Sequence, residues 1–133
     1  NLFGATAFSA YGLFWMGMPG GWLIQLRYFG PELAAQVDGA QLGFVFLGYL
    51  ILSVVLTIST LKMSKAMFLL MALIVVLFIG LALDSFGYGS IWHNIAGYAE
   101  MGVALVGFYV LSSKYLNIFF GKTILPEGSA FLN

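Results

Sequence analysis

Apolar positions run through this chain in long blocks, and the polar residues that break the blocks locate the elements. Four stretches lack lysine and arginine and nearly lack acid: about 2–24, 40–61, 66–83 and 91–111. Each approaches the roughly 20 residues that carry a helix across bilayer hydrocarbon, so the pattern predicts an all-α membrane protein with four transmembrane helices. The connections differ in kind. Residues 25–39 hold Arg27, Pro31, Glu32 and Asp38 and read as a longer loop, whereas 62–65 and 84–90 read as tight hairpin turns. Tight turns make the flanking helices antiparallel neighbours. Residues 112–133 read as a tail, and the whole as one transmembrane domain.

The first stretch is the most varied in texture. Thr6, Ser9 and Tyr11 interrupt it, and Gly4, Gly12 and Gly17 keep parts of its surface thin. Such a helix suits contact with other helices rather than with lipid alone. Pro19-Gly20-Gly21 is expected to end or bend it early. It does not read as a signal peptide, because it has no basic leader, carries Trp15 and Trp22, and offers no small-residue cleavage site.

Composition strengthens the membrane reading. Hydrophobic residues make up 62% and charged residues 8%, against about 45–50% and about 25% in soluble domains. Five basic and five acidic residues balance, which gives no nucleic-acid signal, and the absence of cysteine removes disulfides and thiolate chemistry. Lys62, Lys65, Lys114 and Lys122 fall on one side of the predicted helices, and Arg27 on the other. The positive-inside rule puts the four lysines, the tail and Asn1 in the cytoplasm, so any upstream part would hold an even number of spans or none. Trp22, Tyr28, Tyr88 and Trp92 read as interfacial belt residues.

Chemistry inside the spans is sparse. There is no paired carboxylate, no nucleophile-base constellation, no phosphate-binding glycine loop, and a lone His93 that cannot hold zinc. Neither an enzyme nor a cofactor is expected. Ser53, Thr57 and Thr60 share a helix face. Their hydroxyls either bond back to their own helix, as is common in membranes, or form a polar wall along a solute path. On the last helix His93, Ala96, Gly97, Glu100, Ala104 and Gly107 lie on one side, a small-residue face with one carboxyl group near its middle. An acidic group at mid-membrane costs about 2.5–3.5 kcal/mol on insertion scales and usually faces a bundle interior or water. Glu100 is therefore a candidate polar or proton site; its alternative is a protonated or hydrogen-bonded packing residue. Phe8, Tyr11, Gly12 and Trp15 form an aromatic stripe at helical spacing, of which Tyr11 alone pairs an apolar ring with a hydroxyl able to meet a carboxylate.

At these residues the chain resembles a known family. Asn1-Leu-Phe-Gly-Ala-Thr-Ala-Phe-Ser-Ala-Tyr-Gly-Leu-Phe-Trp15 is similar to the third-helix signature of the acetate uptake transporter family. Thr60-Leu61-Lys62 resembles its Thr-Leu-Lys between helices four and five, and Leu116-Asn117 with Gly121-Lys-Thr-Ile-Leu-Pro126 resembles its closing motif. The resemblance implies a six-helix protomer of which this chain supplies helices three to six, a homo-oligomer (hexamer) in the cell's inner membrane, and a path for small carboxylates in each protomer. The family's Asn-Pro-Ala-Pro-Leu-Gly-Leu signature does not occur here. Tyr11 matches the tyrosine of the family's apolar constriction, Ile74 falls where a bacterial member has leucine, and Thr6 and Phe8 lie in the same signature. Glu100 matches no acidic family position.

The expected function is membrane transport of acetate and similar small carboxylates, succinate among them, through a narrow apolar constriction, by proton coupling or as a channel. With no lysine or arginine in the predicted cores, an anion must find hydroxyl or backbone donors, helix N-termini, or an accompanying proton. Two alternatives stand beside it: a channel for a neutral solute such as urea or a short amide, and a non-conducting membrane assembly subunit whose small-residue faces simply pack.

Overall fold

The computed structural model describes residues 2–132. Asn1, with its place in the opening signature and its expected cytoplasmic position, lies outside the described residues, as does Asn133 at the end of the tail. The regular elements are five α-helices in the order α1 (Leu2–Gln25), α2 (Pro31–Ala34), α3 (Gly39–Thr60), α4 (Lys65–Ser85) and α5 (Ser90–Phe120). By its contacts the chain divides after Gly39 into two compact units.

In the first unit α1 neither ends nor is interrupted at Pro19-Gly20-Gly21; it continues to Gln25. Proline removes one backbone donor, to the Trp15 carbonyl, but helical backbone before and after it holds the run together. The stop comes at Arg27, the single non-glycine residue with positive φ among those described, at 63°. Its amide donates to the Ile24 carbonyl and that of Tyr28 to the Leu23 carbonyl, both at 3.0 Å, which is the paired bonding of a Schellman motif. Within the expected loop, Pro31 opens the one-turn helix α2 at its first position, where a missing N–H is harmless.

The second unit is a helical layer made by α3, α4 and α5 with the tail. Ser64 caps α4 by accepting from the Met67 amide at 3.2 Å. At the other end the amides of Gly87 and Tyr88 close on the carbonyls of Asp84 and Leu83, with Gly87 at φ 80° supplying the left-handed residue the closure requires. The α4–α5 pair runs antiparallel around Leu77, Ala96 and Ala99, with Leu81 against them. Gly80 is why they approach closely: a Cβ there would lie 2.9 Å from both the Ala96 nitrogen and the Trp92 carbonyl oxygen. Phe78, 1% exposed, ties α3 to α4, its ring 5.6 Å from Tyr49 and 6.5 Å from Phe46.

Helices α3, α4 and α5 are each long and apolar enough to cross a membrane. The expected fourth span, α1, has the length, with 24 residues, but is not among them. Its glycines, Thr6, Ser9, Tyr11 and Pro19 dilute the apolar side chains. The last helix was expected to stop at Leu111; it runs on to Phe120, where Gly121 takes the left-handed C-cap at φ 61°. Polar Ser112, Ser113, Lys114 and Asn117 end the hydrophobic run without ending the helix. At about 1.5 Å per residue its 31 residues exceed a hydrocarbon slab of about 30 Å, so one end of α5 stands clear of the apolar layer.

Candidate functional site

Along α1, Gly4, Ala7 and Phe14 are buried, and half-buried Tyr11 falls between them at helical spacing. Thr6 is half-buried, but Phe8 is 83% exposed. The aromatic stripe is thus divided: Tyr11 lies on the inward seam of its unit, while Phe8, Gly12 and Trp15 face outward. Ile74, in the second unit, is half-buried on α4 one turn before Phe78. Tyr11 and Ile74 belong to different units, and each is described within its own.

The hydroxyl stripe of α3 resolves in detail. Ser53 donates to the Tyr49 carbonyl at 2.6 Å, Thr57 to that of Ser53 at 2.7 Å, and Thr60 to that of Thr57 at 2.6 Å. Ser53 and Thr60 are fully buried. Protons committed to helix carbonyls are what membrane hydroxyls use to hide their polarity, and they leave lone pairs, not donors, toward any neighbour.

On α5 the expected small-residue face separates into two. Ala96 is buried against α4, and a Cβ added at Gly107 would lie 3.8 Å from Leu70. His93, Gly97, Glu100 and Ala104 are exposed. The helix register fixes the level of the carboxyl group. Gly80 abuts Trp92 and Ala96 while Gly102 abuts Leu73, so Glu100 lies about level with Val76, midway along α4. His93 instead sits at the helix start, its Nδ1 3.0 Å from Asp84 Oδ2 in an exposed pair.

The densest polar cluster involves residues that the sequence placed in the closing motif, among the topology lysines or nowhere, and never at a site. Beyond Gly121 the tail folds back over the adjoining ends of α4 and α5. Asn117 Oδ1 accepts from the amides of Ile124 and Leu125 at 2.7 and 3.1 Å, and its Nδ2 donates to the Leu125 carbonyl at 2.9 Å. Tyr109 donates to the Pro126 carbonyl at 2.6 Å. The Glu127 carboxylate then meets three donors: Ser64 Oγ at 2.9 Å, Ser113 Oγ at 2.9 Å and Lys114 Nζ at 3.1 Å. Ser113 Oγ also lies 2.9 Å from the Leu125 carbonyl oxygen, so its single proton is shared between the two acceptors. Burial pushes the Glu127 carboxyl up, but the hydrogen bonds from Ser64, Ser113 and Lys114, with the Lys114 charge, together hold it below the ordinary glutamate range. Further along, the amides of Phe131 and Leu132 donate to the Leu61 carbonyl at 3.0 Å, and the Phe131 ring packs on Phe68 and under Lys65. The sequence signal that could have found this clasp is the closing Gly-Lys-Thr-Ile-Leu-Pro motif, together with the acid immediately after it.

Among the described residues no group of histidine, cysteine or acid could hold a metal. Nor does any buried side-chain polar atom there lack a partner.

Comparison with known proteins meets the same features. The model of the GPR1/FUN34/yaaH family matches residues 1–125. The succinate-acetate/proton symporter SatP of Escherichia coli is 28% identical over 132 residues, covering 98% of this chain and 67% of that protein. Acetate permease A of Emericella nidulans is 32% identical over 112 residues, 80% of this chain and 36% of that one. A solved structure of the bacterial acetate channel SatP matches with a TM-score of 0.85 at 26% identity, covering 96% of this chain and 68% of the other. The family resemblance read from the opening and closing motifs is borne out. With three apolar helices able to span a bilayer and a family match over nearly all its length, this integral membrane chain belongs to the GPR1/FUN34/yaaH family of transporters and channels, not to the enzymes.

Proposed function

We propose that this chain forms part of a membrane pathway for acetate and similar small carboxylates, succinate among them. The family match over residues 1–125 carries this reading, and the named activities of the bacterial and fungal relatives supply the substrate class. α1 joins α3, α4 and α5 as a fourth span in a six-helix protomer of a homo-hexamer in the inner membrane. In that arrangement Lys62, Lys65, Lys114, Lys122 and the tail face the cytoplasm by the positive-inside rule.

Tyr11 and Thr6 on α1, and Ile74 on α4, are each proposed as substrate-path residues within their own unit. A half-buried tyrosine offers one donor on an apolar ring, which suits a narrow place where a small acid loses most of its water. Phe8, facing outward on α1, supports the path from behind. Ser53 and Thr57 keep the packing reading, because their protons are already used by helix carbonyls. Lysine and arginine are absent from the spanning cores, so a bare carboxylate would enter without a counter-charge, and burying an unpaired charge is expensive. A proton carried with the acid removes that cost, which is why proton coupling is part of the proposal. Glu100, at mid-depth and exposed on this chain, needs a neighbour or water to be tolerated in lipid.

Uptake of labelled acetate into proteoliposomes, with and without an inward proton gradient, tests the reading. Accumulation driven by the gradient is expected and should be competed by succinate, not by urea or formamide. No uptake in either condition would overturn it.

A further inference from the structure

The donors around Glu127 are arranged as a receptor for a carboxylate. Ser64 comes from the cap of α4, Ser113 and Lys114 from the far turn of α5, and the three converge on two oxygens within 3.1 Å. Ser113 is fully buried, and the Glu127 side chain is 11% exposed where Lys114 holds it. The α4 start and the α5 end are joined through this carboxylate, with the Ala66 amide donating to the Glu127 carbonyl at 3.0 Å on the same strap.

We propose that Ser64, Ser113 and Lys114 form a binding site for a small monocarboxylate, and that the chain fills it with its own Glu127, making the tail a self-ligand that fastens α4 to α5. The site recognises two oxygens and a charge, not the rest of a glutamate. Removing the Glu127 side chain beyond Cβ leaves a space matched by an acetate ion, whose methyl takes the place of the missing methylene. The inference rests on this geometry alone and does not need the transport reading.

Hydrogen exchange on the full-length protein in detergent tests it, read at the amides of Ala66, Ile124, Leu125, Phe131 and Leu132, which the strap protects. In sodium chloride Glu127→Ala should speed their exchange by about thirtyfold, since the bonds from Ser64, Ser113 and Lys114 are all lost. Sodium acetate at the same ionic strength should restore most of that protection, and a bulky branched carboxylate should not. Adding Lys114→Ala should abolish the rescue. Span amides serve as the control for folding. If Glu127→Ala loses them, Lys114→Ala and Glu127→Gln carry the test in the otherwise native chain, where each should speed exchange of the strap amides alone. Unchanged strap exchange in these variants, or acetate acting no better than chloride on Glu127→Ala, would overturn the proposal. Because the readout needs no transport, a failure here is separable from a failure of the uptake experiment.

Discussion

The two ends of the α4–α5 hairpin are held by opposite means. At the Asp84 end the chain itself makes the turn, two glycines supply its left-handed backbone, and Gly80 lets the helices meet almost backbone to backbone. The one polar pair there, Asp84 with His93, is exposed. At the Lys65 end the helices are far apart in sequence, and a folded-back tail joins them with a buried serine, a carboxylate and an asparagine that mimics a peptide group. Each kind of force prevails in its own surroundings. Within hydrocarbon, helices gain from small residues and close contact; beyond it, where α5 outruns the apolar layer, a satisfied polar network can do the joining.

Replacing Gly80 with valine should do the greatest damage, since the new side chain meets backbone atoms at 2.9 Å that cannot yield cheaply. A loss of about 3 kcal/mol is expected, read as a lower unfolding midpoint in detergent. Glu127→Ala should break the opposite end at somewhat smaller cost, about 2 kcal/mol, because it strands the donors of Ser64, Ser113 and Lys114. If the Gly80 variant were the milder of the two, the contrast between the ends would be wrong.

Acid should separate the ends further. The folded-state Glu127 carboxyl is held below its ordinary value of 4.5, so its contribution is complete above that value and is lost as pH falls through the lower, folded one. Melting of the parent between neutral and strongly acidic pH should therefore show a loss that Glu127→Gln does not show. The smallest effect is expected from Asp84→Asn. The pair it breaks is exposed, surface pairs contribute little, and the turn closes without it, so the melting temperature should not change measurably.

The apolar runs of α3 and α4 were legible because, with only lipid and helices as neighbours, continuous hydrophobicity is itself the signal. The end of α5 was not legible the same way. Its hydrophobic run stops near Leu111, but Ser112 to Phe120 stay helical because the stop depends on Gly121 and on partners in the tail. Pro19 and two glycines suggested an early end to α1, yet local preference for breaking a helix is a small energy that surrounding helix overrides. Spacing alone lined up Ser53, Thr57 and Thr60 on α3, where each hydroxyl bonds a carbonyl of its own helix, but it grouped Tyr11 with Phe8, Gly12 and Trp15, from which burial separates it. Glu100 was assigned to its face and not to its exposure, because helical periodicity gives direction around an axis without saying what lies there.

By itself the sequence determined the helix-rich membrane character, the antiparallel hairpin of α4 and α5, and the family resemblance, since length, apolar density and motif order are properties of the chain read in line. Only the tertiary structure decided how the ends of that hairpin are fastened. Glu127 lies 63 residues from Ser64 and 14 from Ser113, and a contact that far along the chain leaves no periodicity in either partner. It comes into being when folding brings three donors to one carboxylate.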